Sequence, residues 1–398
     1  MRIGFLLGAG VSQAVEMPST DDITGLIFPV FPPERSQENE VWRHINRKRV
    51  TLLETARDLV IEYYSIINSS RQARCQPNYE EVYSVLSQVE NAVIKQHNNP
   101  ALGPMIKTLK ERVVPVLPEF QNSRDFNFVL TNTNLWVRET VIESLDREPT
   151  DLDRLNSITA GFDDQDVELQ GFFTTNHDIV IDSCLKRAGR EYVDGFGPPD
   201  DNLLRHWNQE LLYGNRSLPV VLKLHGAINW RHFRKGTKVS EGFYVEKGQE
   251  NSFYAIPERD DFKTLGISSF DSSDGFHYSA PGDPIILIGT VDKMFRYNTP
   301  ILSDVLAAFG LYLRKVDALI VSGYGFGDVG INYRVANWFY SFPEKKIIII
   351  HKNPEKLKNQ PGFSMSDWDD LVKRSRIVAI YKKFEETTWD DIKGLLLN

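Results

Sequence analysis

Two polar residues follow short apolar runs at points where the chain could place them in an active site. Asn176 comes just after the run 169–174, and its carboxamide could hold a ribose hydroxyl or a water molecule. His225 directly follows the run 220–224, and an imidazole that titrates near neutrality is a common general base. An amide and an imidazole together suit a reaction in which a bound water is activated without a metal.

Both residues also have ordinary structural interpretations. Asn176 could satisfy the amides of a turn, and Asp178 suits the N-cap of the helical pattern that begins at residue 179. A lone histidine is more often structural than catalytic. His225, however, stands at a strand end before Gly226, which leaves room for a substrate. This placement favours Asn176 and His225 as the catalytic pair.

Two glycine-rich turns follow other apolar runs. The sequence GAGVS at residues 8–12 comes directly after the run 3–7, and its missing side chains let backbone amides approach a pyrophosphate. The sequence GYGFGD at residues 323–328 follows the run 318–322. Either turn alone is explained as well by tight strand–helix packing, with Asp328 capping the next helix. The third glycine and the downstream acid of the dinucleotide fingerprint are not at their usual places.

A parallel α/β sheet is the fold that would bring these positions together. Six apolar runs are too continuous for half-exposed strands and too short for helices, and a seventh is expected at a sheet edge. The runs cover residues 3–7, 169–174, 220–224, 285–288, 318–322 and 346–350, with 377–381 at the edge. Helical patterns at 179–188, 301–315 and 331–339 alternate with them. Ligands of such sheets bind beyond the carboxyl ends of the strands, where the polar residues cluster.

The predicted fold class is therefore α/β, with a Rossmann-like, doubly wound parallel sheet and two insertions. The sheet domain covers residues 1–30 and 166–398. Residues 31–165 follow helical spacing and are predicted to form a large helical insertion. Residues 231–280 are rich in Gly, Ser, Asp and aromatic residues and are predicted to form a small insertion of loops and short β-strands.

Composition limits the classes of function. The net charge of −8 argues against direct binding of nucleic acid, since phosphate contacts need clustered Lys and Arg. No apolar stretch approaches the roughly 20 residues of a membrane span, so no membrane association is expected. The two cysteines are too few for a disulfide framework or a four-thiolate zinc site. A cytoplasmic location is expected.

Taken in order, the motifs resemble those of the sirtuin (silent information regulator) family, and more closely its bacterial branch of NAD-consuming defence proteins. Residues 8–12 are similar to the GAGxS turn, and residues 175–178 resemble TQNID. His225 and Gly226 resemble the catalytic His-Gly pair, and residues 323–326 stand where sirtuins have their GTSL loop. The resemblance implies a sirtuin-like sheet with NAD as substrate.

The resemblance also implies roles for individual residues. Asn176 would position the nicotinamide ribose and the attacking water, and His225 would act as the base. Asp178 would meet the carboxamide of nicotinamide. The residues implied to contact NAD are Gly8, Ala9, Gly10, Ser12, Thr175, Asp178, Gly323, Gly325, Phe326 and Asn353.

Departures from the family pattern indicate which branch the chain resembles. Sirtuin deacylases carry a zinc ribbon of four cysteines after the His-Gly pair, whereas residues 231–280 contain no cysteine, so no metal is expected. Ser19 and Asp21 replace the Asp and Arg of the deacylase loop, and His351 stands where the family usually has Asn. These differences make a protein deacylase the less favoured interpretation.

The resulting prediction is an NAD hydrolase that cleaves the nicotinamide–ribose bond to give nicotinamide and ADP-ribose. One alternative is a module that senses NAD or ADP-ribose without turnover, and another is a doubly wound domain with unrelated chemistry. By resemblance, the enzyme would deplete NAD in antiphage defence by abortive infection. It would form a homo-oligomer and pair with a HerA-type hexameric ATPase, which would handle any DNA.

Overall fold

The fold is described from a computed structural model of the chain. The residues that it describes are 1–28, 40–67, 76–94, 99–201, 203–214, 217–240, 243–255, 269–272, 275–279, 284–290, 293–358 and 368–396. Clustering of contacts divides the chain into two compact units. The first unit contains Met1–Met17, Leu145–Leu287 and Tyr297–Asn398, and the second contains Pro18–Ser144 and Ile288–Arg296. The predicted domain boundaries stay a prediction.

A six-stranded parallel sheet forms the centre of the first unit. Its strands are β1 (Arg2–Leu7), β2 (Glu168–Thr174), β5 (Val220–Lys223), β10 (Ala318–Ser322), β11 (Lys346–Ile350) and β12 (Ile377–Ile380). Their spatial order is β12-β11-β10-β1-β2-β5. Numbered along the chain, this is the order 3-2-1-4-5-6 of dinucleotide-binding folds. The predicted α/β, Rossmann-like doubly wound sheet is confirmed.

Helices follow most of these strands and cover the sheet. They are α1 (Ala9–Ser12), α7 (Asn156–Ala160), α8 (Val180–Arg187), α9 (Glu210–Tyr213), α11 (Pro300–Lys315), α12 (Val329–Ser341), α13 (Trp368–Lys373) and α14 (Trp389–Leu396). The ring of Phe309 on α11 meets the ring of Phe173 on β2 edge to face, with ring centres 5.0 Å apart. Such buried aromatic pairs stabilise the layer in which the strand ends are held.

A second, antiparallel sheet belongs to the same unit. It contains β3 (Phe196–Pro199), β4 (Arg205–Trp207), β6 (Trp230–Ser240), β7 (Phe243–Ala255), β8 (Ser269–Ser272) and β9 (Gly275–Ser279). Their order is β3-β4-β7-β6-β9-β8. The long β6–β7 hairpin therefore occupies much of the segment that was predicted as a loop and β-strand insertion.

The second unit is helical in its described part. Its helices are α2 (Thr20–Ile27), α3 (Glu40–Ile67), α4 (Tyr79–Val93), α5 (Leu102–Val113), α6 (Ser123–Leu145) and the short α10 (Lys293–Arg296). Ser19 is the N-cap of α2, and its hydroxyl accepts from the Asp22 amide while the Asp22 carboxylate accepts from the Ser19 amide. Ser19 thus has a capping role within this unit.

One predicted strand is wrong. Residues 285–288 are buried and apolar, but within the described part of the chain they make a single isolated antiparallel bridge, between Ile286 and Gly226, and belong to neither sheet. A continuous apolar run shows that a segment is buried without showing what it pairs with. The segment instead bonds the turn after β5, through Leu287 N to His225 O at 2.9 Å and Ala227 N to Ile285 O at 3.0 Å.

Candidate active site

The predicted site motifs all begin at one edge of the parallel sheet. The strand register places Leu7 beside Thr174 and Ser322, Thr174 beside Lys223, and Ser322 beside Ile350. Asn176 and His225 each lie two residues beyond paired positions of neighbouring strands. The edge also includes the topological switch point between β1 and β10, where the strand order reverses. Doubly wound sheets bind nucleotides at such a point.

The two glycine-rich turns cross each other in backbone-to-backbone contact. A Cβ on Gly8 would lie 2.5 Å from the Gly323 oxygen, and a Cβ on Gly10 would lie 2.7 Å from the Gly323 Cα. Gly323 has a φ of +64°, and a Cβ there would lie 2.4 Å from the Val11 nitrogen. These three positions require glycine because backbone occupies the space that a side chain would take.

The amides of the first turn are largely engaged by this crossing. Gly8 N donates to Ser322 O at 3.0 Å, and Gly10 N donates to Gly323 O at 3.2 Å. The turn was predicted to present these amides to a diphosphate. They bond backbone carbonyls instead, so a contact of Gly8 or Gly10 with a ligand would involve other atoms of the two residues. Ala9, between them, is exposed.

The second turn combines a buried anchor with exposed glycines. Phe326 is fully buried and has a φ of +53°, which is uncommon for a residue with a side chain. Asn332 holds the turn by donating to Phe326 O at 2.8 Å and accepting from the Tyr324 hydroxyl at 2.7 Å. A Cβ on Gly325 would meet nothing within 4 Å. Gly325 therefore faces open space, while the Phe326 side chain belongs to the core.

Asn176 is held by Ser12, so the first two motifs form one cluster. The Asn176 side-chain nitrogen donates to the Ser12 hydroxyl at 2.8 Å, and both residues are buried. The Ser12 hydroxyl is also near the Asp178 carboxyl. Burial raises the pKa of Asp178, while the nearby Ser12 hydroxyl and the charge of Lys223 act in the opposite direction. Ser12 therefore orients the carboxamide of Asn176 and supports the neighbouring acid.

Lys223 supports the same loop from β5. Its ammonium group donates to the backbone oxygen of Asp178 at 2.8 Å and pairs with the Asp182 carboxylate at 2.5 Å, with only 2% of the residue exposed. A buried ammonium group needs such partners because desolvation of an unpaired charge is costly. The pair joins β5 to the start of α8 and so positions the segment that carries Asn176.

Asp328 pairs with His225 across the edge of the sheet. Nε2 of His225 lies 2.8 Å from Oδ2 of Asp328, and both side chains are almost completely buried. The other carboxylate oxygen accepts from Ile331 N at 2.9 Å, which makes Asp328 the N-cap of α12. One carboxylate thus positions both a helix and an imidazole. The rings of His177 and Tyr297 lie 6.0 and 6.4 Å from the His225 ring, centre to centre.

The interpretation of Gly226 as leaving room for a substrate is wrong. Gly226 has a φ of +76°, and a Cβ there would lie 2.0 Å from the Ile285 oxygen. The missing side chain makes room for the backbone of residues 285–286. Gly226 is therefore a packing requirement of the turn that presents His225.

The remaining predicted contacts lie along the same edge. Thr175 N donates to Leu7 O at 3.1 Å, which ties β2 to β1. Asn353 is exposed beyond β11, and its amide donates to Nδ1 of His351 at 2.9 Å. The roles assigned to all these residues in binding or catalysis stay predictions.

Sequence reasoning missed three residues of the site: Lys223, Tyr297 and Asp328 as a partner of His225. Asp328 was recognised only as a helix cap, which it is. No local pattern connects it to a histidine 103 residues away. Among the described residues, no group of three or more His, Cys, Asp or Glu side chains is arranged to hold a metal ion. No helix in the described part is long and apolar enough to span a membrane.

Comparison with known proteins adds little to this geometry. No protein-family model matches the chain, and no curated protein matches it. Solved structures with some likeness include a mutant Sir2 homologue in complex with 2′-O-acetyl ADP-ribose (11% identity, TM-score 0.34, covering 100% of this chain and 92% of the other). A second structure concerns the mechanism and regulation of Sir2 enzymes (12% identity, TM-score 0.36, covering 100% of this chain and 93% of the other). A third is a Sir2 homologue in complex with NAD (13% identity, TM-score 0.31, covering 100% of this chain and 90% of the other). At these TM-scores the likeness carries no argument.

Proposed function

We propose that this protein hydrolyses NAD at the bond between nicotinamide and ribose. The observation that carries the proposal is the placement of Asn176 and His225 beyond adjacent strands at the nucleotide-binding edge of a 3-2-1-4-5-6 sheet. Each of the two side chains is buried and held by a dedicated partner, Ser12 for Asn176 and Asp328 for His225. A general base that is oriented by a carboxylate is a recurring arrangement in hydrolases.

The reaction forms a bond between a water oxygen and C1′ of the ribose while the bond from C1′ to the nicotinamide nitrogen breaks. The electron pair of the broken bond neutralises the pyridinium charge, so nicotinamide is a good leaving group. One water proton passes to His225 and then to solvent, and the other stays on the new hydroxyl of ADP-ribose. The side chain of Asn176 orients the ribose and the water, so the reacting atoms are brought together in the correct geometry.

Asp328 stabilises the imidazolium that His225 forms when it takes the proton. An ionised carboxylate only accepts hydrogen bonds. Nε2 of His225 therefore carries a hydrogen and donates a hydrogen bond to Asp328. The lone pair of the neutral ring is then on Nδ1, which becomes the proton-accepting atom. The Asp178 carboxyl, whose pKa is raised by burial, is the group proposed to meet the carboxamide of nicotinamide.

The test is release of nicotinamide and ADP-ribose from NAD by the purified protein and by two variants. We expect both variants to lose at least about 10²-fold in kcat: His225→Ala because it removes the general base, and Asn176→Ala because the reacting groups are no longer held in place. Both variants should still unfold cooperatively, at a somewhat lower temperature, because each loses a buried hydrogen bond. Binding of NAD without turnover by the wild type would favour a sensor, and full activity of either variant would exclude the assignment.

We further propose, from the sequence resemblance alone, that the enzyme acts in the cytoplasm as a homo-oligomer in antiphage defence. By the same resemblance, its partner would be a HerA-type hexameric ATPase. Sedimentation of the chain with and without the product of its neighbouring gene tests this. A chain that stays monomeric and does not bind that product would contradict the proposal.

A further inference from the structure

Tyr297 carries a buried hydroxyl that forms no hydrogen bond with any residue that the structure describes. The residue is 6% exposed, and its ring lies beside His225 with the ring planes at 52°. Buried hydroxyl groups nearly always have a partner, and the rare exceptions call for an explanation such as an unseen water or a catalytic role. Here the explanation must involve the immediate surroundings of the proposed base.

Two other buried tyrosines of the same unit, Tyr312 and Tyr324, have hydroxyl groups with partners within the fold. The Tyr312 hydroxyl donates to Leu212 O at 3.1 Å, and the Tyr324 hydroxyl donates to Asn332 at 2.7 Å. Both are structural hydrogen bonds within the fold. Tyr297 differs from them in lying next to His225 and in having no such bond.

The charge environment determines the form of the Tyr297 side chain. Burial, and after it the negative charge of Asp328, raises the pKa of Tyr297 well above its ordinary value, with Arg334 acting in the opposite direction. The phenol is therefore neutral near pH 7 and offers one donor and lone pairs. It is suited to binding and orienting a small neutral polar molecule.

We propose that the Tyr297 hydroxyl binds the water molecule that attacks C1′ of the ribose. This rests on the proposed function and adds a third group, beside Asn176 and His225, to the handling of that water. The hydroxyl accepts a hydrogen bond from one O–H of the water, and this hydrogen stays on the oxygen. His225 takes the other proton as the oxygen bonds C1′ and the bond to nicotinamide breaks. A water-sized occupant fits a side chain this deeply buried better than a ribose ring does.

The test compares Tyr297→Phe with Tyr312→Phe, because each substitution removes only a buried hydroxyl. For Tyr297→Phe we expect kcat to fall at least tenfold, with KM for NAD and Kd for ADP-ribose within about twofold of wild type. Its melting temperature should be unchanged or higher, since the substitution breaks no hydrogen bond to a described residue. Tyr312→Phe should keep its kcat and melt about 2–4 °C lower, because it loses a hydrogen bond.

A competing nucleophile gives a second measurement. In a fixed fraction of methanol, the Tyr297→Phe enzyme should give a higher ratio of methyl ADP-ribose to ADP-ribose, because the preference for water is weakened. Three results would overturn the proposal: full kcat in Tyr297→Phe, a parallel loss of ADP-ribose affinity, or a fall in melting temperature like that of Tyr312→Phe. Absence of turnover in the wild type would instead refute the proposed function. The melting temperatures of Tyr297→Phe and Tyr312→Phe can be compared even in that case, because they do not depend on activity.

Discussion

At the scale of single residues, the bond between His225 and Asp328 determines which ring nitrogen carries the proton. Replacing Asp328 by Asn keeps an oxygen for the Ile331 amide and presents an NH₂ group to the imidazole, which favours the opposite tautomer. Because the proton acceptor is then displaced, we expect Asp328→Asn to lose roughly 10²-fold in kcat. The cap of α12 should survive, and the melting temperature should change little.

Two measurements separate this role from a structural one. The ring ¹⁵N resonances of histidine-labelled protein should move from the Nε2–H to the Nδ1–H pattern, and His225→Ala identifies the signal. Asp328→Ser keeps a good N-cap but cannot reach the imidazole, so it should also be folded and inactive. A tautomer that is the same in Asp328→Asn and wild type would show that Asp328 acts only as a cap.

The residue scale is where the sequence predicts least. Asn176 and His225 are recognisable because each lies within two residues of the end of an apolar run, and the structure places both at the expected edge. Tyr297 precedes α11 in a segment without any motif. Its proximity to His225 depends on how distant segments pack, and no periodicity or spacing encodes that.

At the scale of elements, the sequence predicts the parallel sheet almost completely. All six strands were recognised because strands buried on both faces are continuous apolar runs bounded by polar or glycine residues. The same signal misassigned residues 285–288, which are buried for a different reason. Strands β3 and β4 of the antiparallel sheet were missed: β3, at its edge, contains Gly197 and two prolines and has no apolar pattern, and β4 is only three residues long.

The crossing of the two glycine turns is an element-scale requirement that a matched pair of substitutions can test. Gly323 has a positive φ, and Gly323→Ala places a Cβ against the backbone of the first turn. A Cβ at Gly327, in contrast, would meet nothing within 4 Å. We expect Gly323→Ala to lower the free energy of unfolding by about 1–3 kcal/mol, because the strained backbone must shift. Gly327→Ala should stay within about 0.5 kcal/mol of wild type.

Urea unfolding followed by circular dichroism measures both variants. If the two alanine variants were equally stable, the crossing would have to be looser than the contacts of Gly8, Gly10 and Gly323 indicate. The result also bears on the glycines of the first turn. A large loss in Gly323→Ala would support packing, independently of any nucleotide, as the reason that these positions are glycine.

At the scale of the whole molecule, an ion cluster joins the C-terminal helix α14 to the segment before β2. The Asp164 carboxylate accepts from Lys393 at 2.8 Å and from the Trp389 indole at 2.8 Å. Lys393 also pairs with Asp166 at 2.7 Å. The bonds from Lys393 and Trp389 lower the pKa of Asp164 to about 2, and the two carboxylates raise the pKa of Lys393 to about 12. The chain end is thus fastened by a group that titrates in acid.

The pH dependence of stability follows from the direction of that pKa shift. Because the carboxyl is more acidic when folded than when unfolded, its contribution is fully present above the unfolded pKa of about 4 and is lost as the pH falls towards about 2. We expect Asp164→Asn to unfold at lower urea concentration than wild type at about pH 7, with a difference that shrinks towards about pH 3.

The exposed Glu344 offers a control, since Glu344→Gln removes a surface charge whose ion pair is expected to contribute little. Urea midpoints of the three proteins, measured at several pH values, distinguish the possibilities. A difference between Asp164→Asn and wild type that stays constant with pH would mean that Asp164 contributes through packing of the Trp389 indole. A difference that disappears in acid would show that the ionised carboxylate is what holds α14 against the rest of the first unit.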